Sequence, residues 1–65
     1  MLKNNISILV VDDEIDICQM VAEILNDENY KAIIATSYDT AIDKLKNENI
    51  TILITDIWMN NNTNA

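Results

Sequence analysis

Two apolar runs in this chain each end abruptly in acid, and that pattern constrains the fold more than anything else in the sequence. Ile6-Ser7-Ile8-Leu9-Val10-Val11 stops at Asp12-Asp13, and Ile50-Thr51-Ile52-Leu53-Ile54-Thr55 stops at Asp56. Runs of six residues that are nearly continuous rather than alternating fit strands covered on both faces, as in parallel sheets. Parallel strands need crossover connections, and the chain between the runs supplies two helical patterns. Ile17, Met20, Val21, Ile24 and Leu25 recur at helical spacing, which predicts a helix from about Glu14 to Asn26, with Asp13 where it begins and Glu14 and Asp16 in its first turn. Asn26-Asp27-Glu28-Asn29 is a polar stop. Tyr30 to Ala35 reads as a second strand. Thr36 and Asp39 have the spacing of a capping box, and Tyr38, Ala41, Ile42 and Leu45 form one stripe on a second helix ending near Asn47. Ile50 to Thr55 is the third strand.

The predicted order is therefore β-α-β-α-β. Right-handed crossovers, with a reversal of winding after the second strand, make the first strand central. The carboxyl ends of strands one and three then adjoin at a switch point, where open α/β sheets bind ligands. Asp12, Asp13 and Asp56 would share that crevice. Three carboxylates repel one another, and a hard cation such as Mg²⁺ relieves the repulsion while leaving positions for water and phosphate oxygens. Asp56, alone at its strand end, is the natural nucleophile toward a phosphoryl group. Each half of the pattern has a plainer reading: Asp12-Asp13 as a helix cap, Asp56 as a solvated strand end. The joint pattern is the more specific signal.

Composition removes several alternatives. The 65 residues carry eleven acids, four lysines, no arginine and no histidine, for a net charge of −7. Nucleic acid is a poor partner for such a surface, and histidine catalysis and histidine metal ligation within the chain are excluded. No apolar run approaches the about 18 residues of a membrane span, and the first residues do not form a signal peptide, so a cytoplasmic location is expected. A single cysteine, Cys18, excludes an internal disulfide and reads as a small core residue rather than a reactive thiol. Glycine and proline are absent, so a turn requiring positive φ must use asparagine or aspartate.

Specific residues exclude competing sites. An EF-hand loop begun at Asp12 would place Ile17 where glycine is required. A haloacid-dehalogenase-like phosphatase would want a second aspartate where Trp58 stands. A P-loop or dinucleotide site needs glycines that the chain lacks. Trp58 reads as a loop residue near the site rather than as a partner anchor.

Ile8-Leu9-Val10-Val11-Asp12-Asp13-Glu14, followed by Ile52-Leu53-Ile54-Thr55-Asp56-Ile57-Trp58-Met59, resembles the receiver domain of two-component response regulators. The resemblance spans nearly the whole chain in order. It implies an α/β, flavodoxin-like receiver fold, truncated to a three-stranded parallel sheet of order 2-1-3, with a partial receiver over 1–59; the polar, low-complexity composition of 60–65 reads as a disordered tail. The resemblance implies that Asp12 and Asp13 bind Mg²⁺, that the backbone carbonyl of Trp58 completes the protein ligands, and that Asp56 accepts phosphate from a sensor histidine kinase. The module would not be an enzyme in the turnover sense. Asn60 stands where many receivers have proline, and in this the run is similar to the NtrX-type subgroup of nitrogen-regulation receivers.

The sequence stops nine residues past Asp56. A strand-four hydroxyl and a strand-five lysine, which contact the phosphoryl group in the family, are therefore not expected. The third strand would be an exposed edge, so self-association or a complementary fragment is expected. The alternative function is accordingly a non-signalling receiver remnant or interaction fragment that self-associates through that strand.

Overall fold

A computed structural model of the chain describes residues 6–55. Met1 to Asn5, Asp56 and everything after it lie outside the described residues. The elements are β1 (Ser7–Val11), α1 (Ile15–Asp27), β2 (Lys31–Ala35), α2 (Tyr38–Asn47) and β3 (Ile52–Thr55). All three strands are parallel, in the order β2-β1-β3. This is the order and element sequence that the apolar runs imply, and it agrees with the truncated flavodoxin-like fold that the resemblance led us to expect.

Register follows without a bulge. Ser7 pairs with Lys31 and Val11 with Ala35 on one side of β1, and Ile8 pairs with Ile52 and Val11 with Thr55 on the other. Paired residues in a parallel ladder share a face. Ile8 and Val10 face α1, packing with the fully buried Cys18 and against Ile6, Val21, Leu25, Tyr30 and Ile34. Leu9 and Val11 face α2, packing with Ala35 and Ala41 and against Ile33 and Ile50. The chain steps from β1 to β2 in one direction and from β2 past β1 to β3 in the other. Right-handed crossovers therefore put the two helices on opposite faces.

The helices meet the sheet through small residues. Cys18 and Ala22 are the buried positions of α1, and Ala41 is that of α2. The sequence stripe only partly coincides with this: Val21 and Leu25 are half-buried, while Ile17, Met20 and Ile24 are exposed. On α2, Tyr38, Ile42 and Leu45 are likewise exposed. Each helix is apolar over a wide arc, and the arc with the smallest side chains approaches the sheet most closely. Both helices pack on β1 and β2. Among the described residues β3 is left open, with Ile52 at 44 %, Leu53 at 47 % and Ile54 at 42 % exposure.

The ends of α1 and α2 correct the sequence reading by one residue. The helix cap is Glu14 rather than Asp13, and its side chain makes no capping bond. On α2 the cap is Ser37, not Thr36: Ser37 is extended (φ −148°, ψ 163°), its Oγ accepts from the Thr40 N–H at 3.2 Å and donates to Thr40 Oγ1 at 3.0 Å. The Thr36–Asp39 box does not form because the chain enters the helix one residue later. At the far end of α1 the polar stop closes in a Schellman motif. Tyr30 N–H reaches the Leu25 carbonyl at 3.0 Å and Asn29 N–H the Asn26 carbonyl at 2.9 Å, with Asn29 at φ 71°. Asparagine thus takes the left-handed position that glycine would ordinarily hold. Tyr30 and Leu25 then join the same apolar cluster. β3 begins at Ile52 rather than Ile50, although Thr51 N–H already donates to the Ser7 carbonyl at 2.8 Å and Ser7 N–H to Thr51 Oγ1 at 3.4 Å.

Candidate functional site

The carboxyl end of β1 is anchored on three sides. The β1–β2 ladder runs one bond past the strands, with Asp12 N–H donating to the Ala35 carbonyl at 3.2 Å. Asp12 Oδ1 accepts the Glu14 N–H at 3.0 Å, an Asx turn that leads the chain into α1. From below, Cys18 Sγ lies 3.4 Å from the Asp12 carbonyl oxygen and 3.9 Å from that of Ala35. Asp12 is half-buried, and Asp13 is exposed beside it.

Part of the plainer reading is thereby realised: one oxygen of Asp12 serves the start of α1. A carboxylate oxygen has more than one lone pair, so this use leaves Asp12 able to accept or ligate elsewhere. The donors are hard oxygens, which suit Mg²⁺ rather than a thiophilic metal. Among the described residues no three acidic or thiol side chains stand together as a metal-holding group. Asp56 and Trp58, the other residues singled out in the sequence, lie outside the described residues. β3 ends at Thr55, the register partner of Val11.

Burial pushes the Cys18 thiol above its ordinary range. The negative charge of Asp12 pushes it further, the bond to the Asp12 backbone acts the other way, and Asp13 adds a smaller upward push. The group stays protonated near neutral pH and acts as a donor, in keeping with a structural rather than a reactive cysteine. Sequence reasoning placed Cys18 in the core but missed its contact with Asp12. The i to i+6 spacing carries no pattern that would announce it. The Asx turn was legible in principle, since Asp followed two residues later by a helix cap is its usual form. Among the described residues, no helix is long and apolar enough to cross a membrane.

Comparison with known proteins agrees with this geometry. The family model for the response regulator receiver domain matches residues 8–63. The nitrogen assimilation regulatory protein NtrX of Azorhizobium caulinodans is 42 % identical over 52 residues, covering 80 % of this chain and 12 % of that protein. A putative NtrX-like response regulator of Rickettsia bellii (strain RML369-C) is 37 % identical over 54 residues, covering 83 % of this chain and 11 % of the relative. The chain thus spans about an eighth of the length of these curated relatives. No solved structure gives a significant match. With the family model matching residues 8–63, and the three described strands parallel in the order β2-β1-β3, this chain belongs to the response regulator receiver domain family.

Proposed function

We propose that this chain is a phosphoacceptor module of two-component signalling, taking a phosphoryl group from a sensor histidine kinase onto Asp56. The observation that carries the reading is the Val11–Thr55 register pair in neighbouring parallel strands. Asp12 and Asp56 are the next residues after that pair, and consecutive Cα atoms are about 3.8 Å apart. That adjacency in sequence supports reading Asp12 and Asp56 as partners in one site. In this reading Asp12, Asp13, Asp56 and the Trp58 carbonyl hold Mg²⁺. Held there, Mg²⁺ would supply positive charge that offsets the negative charge of the phosphoryl oxygens. An Asp56 oxygen attacks phosphorus, the N–P bond of the kinase's phosphohistidine breaks, and its electron pair returns to the imidazole. One transfer uses the module once, so it acts as a signalling partner in the cytoplasm and not as an enzyme with turnover.

Incubation with acetyl phosphate, with and without Mg²⁺, tests this by mass spectrometry. A single added phosphate that requires Mg²⁺ and disappears in Asp56→Asn is the expected outcome. Folded protein that takes up no phosphate overturns the reading. The exposure of β3 favours a second reading for that case: a non-signalling receiver remnant that associates with a second copy or a complementary fragment through its third strand.

A further inference from the structure

We propose that Cys18 is a positioning residue for the acidic loop: its thiol, carried by α1 beneath β1, fixes the Asp12 carbonyl and so the direction in which Asp12 and Asp13 present their carboxylates. The inference rests on the Mg²⁺-binding reading above.

Three atoms of Asp12 are tied by three different parts of the chain. Its N–H is held by Ala35 at the end of β2, its Oδ1 by the Glu14 amide, and its carbonyl oxygen by Cys18 Sγ. The third tie governs both acids at once. The peptide unit joining Asp12 to Asp13 is planar, so the carbonyl of Asp12 and the nitrogen of Asp13 turn together. Anchoring that carbonyl sets the plane from which the two carboxylates diverge. Cys18 is fully buried and belongs to the apolar cluster of Ile8 and Val10. Its backbone position is therefore set by packing, and the sulfur presents its hydrogen from a rigid base. The neighbouring Ala35 carbonyl, at 3.9 Å, is the more distant acceptor. Valine or alanine at this position preserves apolar contact but offers no donor, and the carbonyl of Asp12 is then free to swing toward water. An S–H···O bond is weak, so the effect is one of orientation and not of assembly.

The test compares Cys18→Val, Cys18→Ala and Cys18→Ser in the whole chain. It reads Glu14 amide exchange by NMR, Mg²⁺ affinity by titration with the metal alone, and the unfolding midpoint. Loss of one weak bond corresponds to about fivefold in an equilibrium. Val and Ala should speed Glu14 exchange and weaken Mg²⁺ binding by about that factor. Ser restores the donor and should return both toward wild type, although its hydroxyl packs worse in the apolar cluster and lowers the midpoint. That reversed order separates positioning from packing. If exchange and affinity instead follow the midpoints, or if Val and Ala match wild type in exchange, the proposal is overturned. A wild-type chain that binds no Mg²⁺ overturns the metal reading, and the Ser-against-Val order in Glu14 exchange then decides the anchoring alone. Should Val fail to fold, Ala carries the comparison.

Discussion

Asn29 holds a backbone conformation (φ 71°) that costs a residue with a β-carbon about 1–2 kcal/mol unless its side chain tolerates it, as asparagine does. Asn29→Ala should therefore lower stability by about 1 kcal/mol, and Asn29→Gly should leave it level or raise it, read by urea unfolding. The prohibition on glycine in this composition made asparagine the predictable occupant of such a turn, and the polar stop Asn26–Asn29 marked where to look. Cys18 makes a pH prediction at the same scale. Its thiol is raised in the folded chain, chiefly by burial, so the unfolded chain loses its proton first as pH rises. The unfolded state then binds fewer protons, and stability must fall with pH. The contribution is intact below the ordinary thiol value of about 8.5 and is lost as pH climbs from there through the folded value. Unfolding at pH 7.5 and 9.5 should show this decline in wild type, and a smaller one in Cys18→Ala.

At the scale of elements, β3 shows what the sequence made legible and what it left open. Its six-residue apolar run ending in acid announced a strand of a parallel sheet, and register bears that out. The same evenness on both faces conceals the alignment, because Ile52, Leu53 and Ile54 present similar surfaces if the strand slips by one. Register is read instead from Thr51, which exchanges two bonds with Ser7 at the start of the ladder. Thr51→Val should cost about 0.5–1 kcal/mol and broaden the β3 amide signals. Helix faces were less legible than strands, since α1 is apolar over so wide an arc that periodicity alone did not say whether Ile17 or Cys18 would turn inward. The phosphoacceptor half of the candidate site was carried by sequence and resemblance, as Asp56 lies outside the described residues. Because β1 bonds β2 through Ile6 and Asp12, its Ser7, Leu9 and Val11 groups face β3, and the register pairs them with the N–H and C=O groups of Ile52 and Ile54, which turns those of Leu53 outward. If copies associate along β3, as the second reading has it, Leu53→Lys places a charge on that edge and should abolish concentration-dependent association in sedimentation, with little change in monomer stability.

The whole molecule combines a net charge of −7 with an uncharged stretch from Ile50 to Thr55. Two copies that meet along β3 must overcome the repulsion of everything else. Association should therefore strengthen as salt screens that repulsion, from about 0.05 M to about 0.5 M sodium chloride, where the Debye length falls well below 10 Å. Among the described residues, only β1 has a bonded strand on either side and a helix on either face. In deuterium oxide its amides should be the last to label and those of β3 among the first. The two ends of the crevice would then keep different time: Asp12 and Asp13 hang from the strand that opens most rarely, while the strand leading to Asp56 comes loose often. Any ligand gripping both would act as a clasp, slowing deuterium uptake in β3 far more than in β1.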